Sequence, residues 1–102
     1  MDTDRLEAML ARGEDTALLR FTLGTAFYRK KQYARAAEHL KRAVEVDPGY
    51  SAAWRNYGKA LADGGETAQA IEVFRKGIEV ARGKGDMQAL REMEVFLRRL
   101  LK

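Results

Sequence analysis

Cysteine is absent from this chain of 102 residues, which removes disulfides, thiolate nucleophiles and cysteine-ligated metals together. Histidine occurs once, at His39, so no pair exists from which a histidine-based metal centre could be assembled. Proline also occurs once, at Pro48, and a chain so poor in proline has little to interrupt its helices. No apolar run approaches the roughly 18 residues that a membrane-crossing helix needs. The first residues, MDTDRLE, are acidic where a secretory leader would be basic and then apolar. A cytoplasmic chain with no membrane partner is the expectation.

What is present points to helix. Apolar residues make up 46% of the chain and charged residues 33%, a balance that suits a folded domain rather than a disordered one. Ala, Leu, Arg, Lys and Glu dominate, and all favour helix. The length allows one domain, residues 1–102, with a modest core. A formal charge of +4 is too small to argue for a nucleic-acid partner by itself.

Glycine supplies the organising signal. Gly24 sits inside the helical pattern ALLRFTLGTAFYRK, where it costs about 1 kcal/mol relative to alanine. Thirty-four residues on, Gly58 repeats the situation within WRNYGKAL. The same offset aligns Ala26 with Ala60, Ala36 with Ala70, Glu38 with Glu72 and Val46 with Val80. It also matches Leu23 to Tyr57, Phe27 to Leu61, Leu40 to Phe74 and Val44 to Ile78 in type. Agreement at small and large positions with one period marks an internal repeat.

Each unit holds two helical patterns. Leu18 to about Lys31 and Tyr33 to Val46 form the first pair, which Asp47-Pro48-Gly49 ends. Ser51 is positioned to cap a helix reaching Asp63, Gly64-Gly65 breaks it, and Thr67 to about Arg82 follows. Arg82 to Asp86 reads as a loop. Thr3 or Asp2 is expected to cap a short leading helix over about 3–12, with Leu6, Met9 and Leu10 on one face and Gly13 as its stop. A final helix is expected over about 87–101.

This pattern resembles the tetratricopeptide repeat family. Leu23-Gly24, Phe27, Ala36, Leu40, Ala43 and Pro48 match its signature in a unit spanning 17–50. Trp54, Tyr57-Gly58, Leu61, Ala70 and Phe74 match it in a second unit spanning 51–84. The second unit departs at Gly77, where alanine is usual, and at Arg82, where proline is usual. The resemblance implies an all-α fold of about six helices, antiparallel pairs stacked as a short superhelix, with the first and last helices capping its ends. It also implies that Gly24 and Gly58 lie where the two helices of a unit approach closest. If the loop after Arg82 holds two extra residues, Leu90 takes the place of Trp54, Met93 of Tyr57 and Leu97 of Leu61. Glu94 then takes the glycine position, a charge suited to an uncovered helix face.

Nothing in the pattern carries catalysis. His39 lies among Arg35, Glu38, Lys41 and Arg42 and reads as an exposed surface histidine. Ser51 is accounted for as a cap, the carboxylates alternate with bases on helical faces, and no strand precedes either glycine-rich turn. No catalytic residue, metal site or cofactor is expected, and the chain does not read as an enzyme.

The expected function is protein–protein interaction, as a scaffold or docking module. In the family that the chain resembles, the first helix of each unit lines a concave groove that holds partner segments. Its groove positions fall on Phe21, Thr25, Tyr28 and Arg29, then on Arg55 and Lys59 with Asn56 at the edge, then on Arg91, Val95 and Arg98. With Leu18, Ala52, Ala62, Asp63, Gln88 and Arg99, the groove set carries six bases and one acid, a net +5, against −1 for the remainder of the chain. Charge of one sign in a cleft favours a ligand of the other, here an acidic peptide or protein segment. The lysine-and-asparagine clamp with which some family members grip chaperone tails is not reproduced by Phe21, Thr25, Arg55 and Lys59. Self-association as a homo-oligomer is the alternative, and single-stranded nucleic acid stacking on Phe21 and Tyr28 ranks below it.

Overall fold

Helix formers between short turns give six helices in the computed structural model, which describes residues 3–102. They are α1 (Thr3–Ala11), α2 (Ala17–Arg29), α3 (Tyr33–Val46), α4 (Ser51–Asp63), α5 (Thr67–Lys84) and α6 (Met87–Leu100). Each packs chiefly on its neighbour in sequence, and α4 also touches α2 and α6. Successive helices therefore run antiparallel, while α2, α4 and α6 lie side by side in one layer. The result is a slab of 41 × 28 × 19 Å.

The core runs along the slab between the helix pairs. Leu23, Phe27, Ala36 and Leu40 are almost fully buried at one end, and Phe74, Ala70, Ala89, Leu90 and Met93 at the other. Ala43, Val44 and Ala53 bridge them. Gly24 and Gly58 sit at the closest crossings. A Cβ on Gly24 would come within 2.5 Å of the Leu40 side chain and 3.1 Å of the Ala36 carbonyl, and one on Gly58 would enter the Phe74 ring. Gly77 has the same role, since a Cβ there would meet Met93 Sδ at 2.5 Å and Trp54 Cβ at 2.9 Å. The missing alanine at Gly77 is thus the room that α6 needs to pack.

Four local expectations require correction, at Ser51, at Arg82 to Lys84, at Thr3 and at His39. Ser51 is the first residue of α4 and caps nothing; its hydroxyl donates to Asp86 Oδ2 at 2.6 Å. Asp86 in turn caps α6, accepting from the Ala89 amide at 3.1 Å. These two bonds hold its carboxyl below the usual range, the Ser51 hydroxyl contributing most. The stretch from Arg82 to Lys84 is helical rather than loop, because the stop comes at Gly85, whose φ of 75° is the left-handed cap. The side chain that caps α2 is Thr16, whose Oγ1 accepts from the Leu19 amide. At the start, Thr3 is buried and accepts a bond from Lys30 Nζ at 2.9 Å; the alternative cap, Asp2, lies outside the described residues.

His39 is half-buried, not a surface residue. Its ring stacks on Phe27 at 5.5 Å, and Nδ1 lies 3.2 Å from Arg20 Nη1. A guanidinium only donates, so Nδ1 accepts and the ring is neutral with its proton on Nε2. Arg20 is held there by two bonds to Asp15. Burial foremost, then the Arg20 charge, pushes the His39 pKa below its ordinary value; Arg35 acts in the same direction, while Glu38 and Glu7 oppose it. Because the folded form resists protonation, the unfolded chain takes up the proton first as pH falls. The contribution of neutral His39 to stability is therefore present above about pH 6.5 and lost progressively below it. Asp15 and Asp86, both lowered, stay ionised across that window. Thermal melts at pH 7.5 and 5.5 are expected to show a larger drop for the wild type than for His39→Gln. Equal drops would remove the ring from the pH response.

Candidate functional site

The layer of α2, α4 and α6 carries two adjoining clefts. Helical spacing places Thr25, Tyr28 and Arg29 on one face of α2, and Arg55 and Lys59 one turn apart on α4 beside Asn56. These six side chains, with Glu92 from α6, line a cleft of about 300 Å³. The second cleft, of about 220 Å³, shares Tyr28 and Lys59 with the first. Its floor is apolar, from Ala62, Phe74, Phe96 and Leu100, and Asp63 and Arg99 stand at its rim.

The polar groups of the first cleft form a chain across three helices. Asn56 Nδ2 donates to Thr25 Oγ1 at 3.1 Å, Arg55 Nε donates to Asn56 Oδ1 at 3.1 Å, and Arg55 Nη1 meets Glu92 Oε1 at 3.3 Å. Tyr28 donates its hydroxyl to Asp63, so the two C-terminal ends of α2 and α4 are tied together. Desolvation foremost, and this carboxylate next, push the Tyr28 phenol well above its ordinary pKa; it is a fixed donor rather than an acid. Lys59 Nζ stands over two rings, 5.4 Å from the centroid of Tyr28 and 5.4 Å from that of Phe96. Among the described residues Arg29, Lys59 and Arg99 form no ion pair, whereas Arg55 is paired.

Six of the groove residues expected from the sequence thus come together: Thr25, Tyr28, Arg29, Arg55, Asn56 and Lys59. Phe21 does not join them. Its ring stacks on Tyr50 at 4.9 Å and packs between two parts of the core. On α6 the expected Arg91, Val95 and Arg98 are exposed and lie outside both clefts. Arg99, also expected in the groove, lines the second cleft with Ala62 and Asp63, while Glu92, Phe96 and Leu100 take the place of the others. Four bases, Arg29, Arg55, Lys59 and Arg99, face two acids, Asp63 and Glu92, so the lining carries +2. The basic excess is smaller than the sequence suggests. Glu92 had a signal: it occupies the α6 position that corresponds to Asn56 on α4. Phe96 corresponds to Ala60, which α3 helps to cover. No described helix covers that side of α6, so Phe96 leans over Phe74, its ring centroid 5.7 Å away, and floors the second cleft.

Comparison with known proteins settles the family. The family model for the tetratricopeptide repeat matches residues 4–49 and again 21–86. The chain belongs to the tetratricopeptide repeat family. It is 49% identical over 100 residues to a TPR repeat-containing protein of Pseudomonas aeruginosa, covering 98% of this chain and 95% of that one. A protein of Bordetella parapertussis solved in solution is 46% identical, with a TM-score of 0.85 over 99% of this chain and 88% of the other. The second TPR domain of human RPAP3, solved with the HSP70 peptide SGPTIEEVD, shares the fold at a TM-score of 0.71 and 22% identity, covering 97% of this chain and 91% of that domain. Tetratricopeptide repeats serve protein–protein interaction, and the two clefts are concave features of the α2–α4–α6 layer. No described helix is long and apolar enough to cross a membrane.

Proposed function

We propose that this tetratricopeptide module docks an acidic, extended segment of a partner protein across the two clefts. The observation that carries the proposal is Lys59. Its ammonium group is suspended between Tyr28 and Phe96 at the junction of a polar and an apolar cleft, without a carboxylate partner among the described residues. A cation held over two ring faces is partly desolvated, which strengthens its attraction for an incoming anion. Arg29 and Arg99 flank it from α2 and α6. A segment that places a carboxylate at Lys59 can set an apolar side chain on Phe96 and Leu100 in the neighbouring cleft.

A charge-assisted contact contributes roughly 1.5–3 kcal/mol where shielded and less where exposed. Ordering a flexible peptide offsets part of this, so binding of about micromolar strength is expected, near −8 kcal/mol. It should weaken as salt rises. The test is a titration of acidic peptides against the wild type and the double variant Arg29→Glu/Lys59→Glu. The variant should lose at least about tenfold in affinity while keeping its helical content. Equal binding by the two proteins would remove the cleft charges from recognition. Preference for a single-stranded RNA over the peptides would move the assignment to nucleic acid.

A further inference from the structure

Glu92 is the one carboxylate that reaches into the polar cleft from α6, and it meets the one cleft base that is already paired. Arg55 Nη1 lies 3.3 Å from Glu92 Oε1, with side chains 24% and 38% exposed. Arg55 Nε is committed as well, to Asn56 Oδ1. One turn further along α4, Lys59 has no such partner, and neither does Arg29 across the cleft. The two α4 cations therefore differ in kind: one is open to a ligand and the other is occupied from within.

We propose that Glu92 is a specificity-determining residue, an internal stand-in for a ligand carboxylate that cancels the advantage a second acidic group would otherwise gain at Arg55. The proposal rests on the docking function above. Arg55 and Lys59 are separated by about 6 Å along α4. Carboxylates on alternate residues of an extended segment are separated by about 6.6 Å, so a diacidic segment could span the two cations. In this protein the second carboxylate gains little. To reach Arg55 it must displace Glu92, exchanging one ion pair for another, and it leaves Glu92 close to a like charge. An apolar or neutral residue at that place meets no such opposition. The docking site therefore needs one acidic group, at Lys59, and does not reward an acidic run, which a groove of unpaired bases would favour.

The experiment uses two short peptides with blocked termini, identical except that one has a single glutamate and the other has glutamates two residues apart. Fluorescence anisotropy gives the ratio of their affinities for each protein. The wild type is expected to bind them within about twofold of each other, and Glu92→Gln to prefer the diacidic peptide by about fivefold. Adding Arg55→Gln to Glu92→Gln should abolish that preference, because Arg55 is the group released. Glu94→Gln makes the same change in net charge on the same helix outside the clefts, and should leave the ratio at the wild-type value. An unchanged ratio in Glu92→Gln, or a wild type that already prefers the diacidic peptide fivefold, overturns the role of Glu92. If either result comes with loss of binding in Arg29→Glu/Lys59→Glu, the docking function stands and only the role of Glu92 falls. Failure of every protein to bind either peptide overturns both.

Discussion

Replacing Gly58 with alanine should destabilise the protein, although helix propensity alone predicts a gain of about 1 kcal/mol. The reason is Phe74. Its ring is fully buried and lies where the new Cβ would be, packed directly on the α4 backbone. An aromatic ring in a dense core has no alternative rotamer to fall back on, so α4 and α5 must separate. Overpacking of this kind costs roughly 1–3 kcal/mol, or about 5–15 °C in Tm for a domain of this size, and leucine should cost more than alanine. Gly24 faces Leu40, a flexible side chain, and its alanine variant should be milder. Gly83 is the internal control. It also lies in a helix but has no atom within 4 Å of a built Cβ, so Gly83→Ala should leave Tm unchanged or raise it slightly. Thermal unfolding of the three variants decides the matter; a raised Tm for Gly58→Ala would mean that the close crossing does not constrain the fold.

The contrast among these glycines shows what a sequence can and cannot reveal. Gly24 and Gly58 were legible because they recur at one offset among recurring alanines. That recurrence encodes a helix crossing, where single-residue propensity reports only a cost. Gly77 looked like a departure from the pattern, and the contacts that explain it come from Trp54 and from Met93 on another helix. Ser51 misled for the same reason. A serine ahead of an apolar run is a good cap by local rules, yet its hydroxyl is engaged by Asp86, brought alongside by the pairing of α4 with α6. Local rules also favoured Gly83 as a loop residue, although the positive φ that ends the helix falls at Gly85.

The groove was readable in the same graded way. Helices α2 and α4 belong to the two units in which the repeat pattern is complete, so spacing alone fixes which of their residues face the concave layer. There the sequence selected Thr25, Tyr28, Arg29, Arg55, Asn56 and Lys59 together. On α6 the packing is one-sided, and the helix meets the clefts through Glu92, Phe96, Arg99 and Leu100. A shift of one residue on a helix turns the contact by about 100°, which is enough to replace an arginine by a glutamate. Spacing therefore gives the position of the clefts on α2 and α4 but not the charge that α6 brings to them.

Removing Met87–Lys102 should leave a chain that unfolds or self-associates. Leu90 and Met93 are buried, and Phe96, Leu97 and Leu100 are partly buried against Phe74, Ile78, Ala81 and Trp54. Each large apolar side chain contributes roughly 1.5–3 kcal/mol when fully buried, so the loss is on the order of several kcal/mol even after discounting the partly covered ones. That approaches the 5–15 kcal/mol, roughly, that holds a typical domain together. Gly77 aggravates the effect, because without Met93 its missing side chain becomes a groove in an exposed apolar face. Ser51 would lose Asp86 as its partner in the same step if the cut were moved to include that residue. In a stacked array each helix pair relies on its neighbour, and an uncovered end is an adhesive one. Sedimentation and thermal melts of the truncated chain are the measurements to make, with Met93→Ala in the full chain as a milder companion expected to cost about 2–5 kcal/mol. A truncated chain that stays monomeric at its original Tm, beside an unaffected Met93→Ala, would show that α6 contributes cleft residues without supporting the fold.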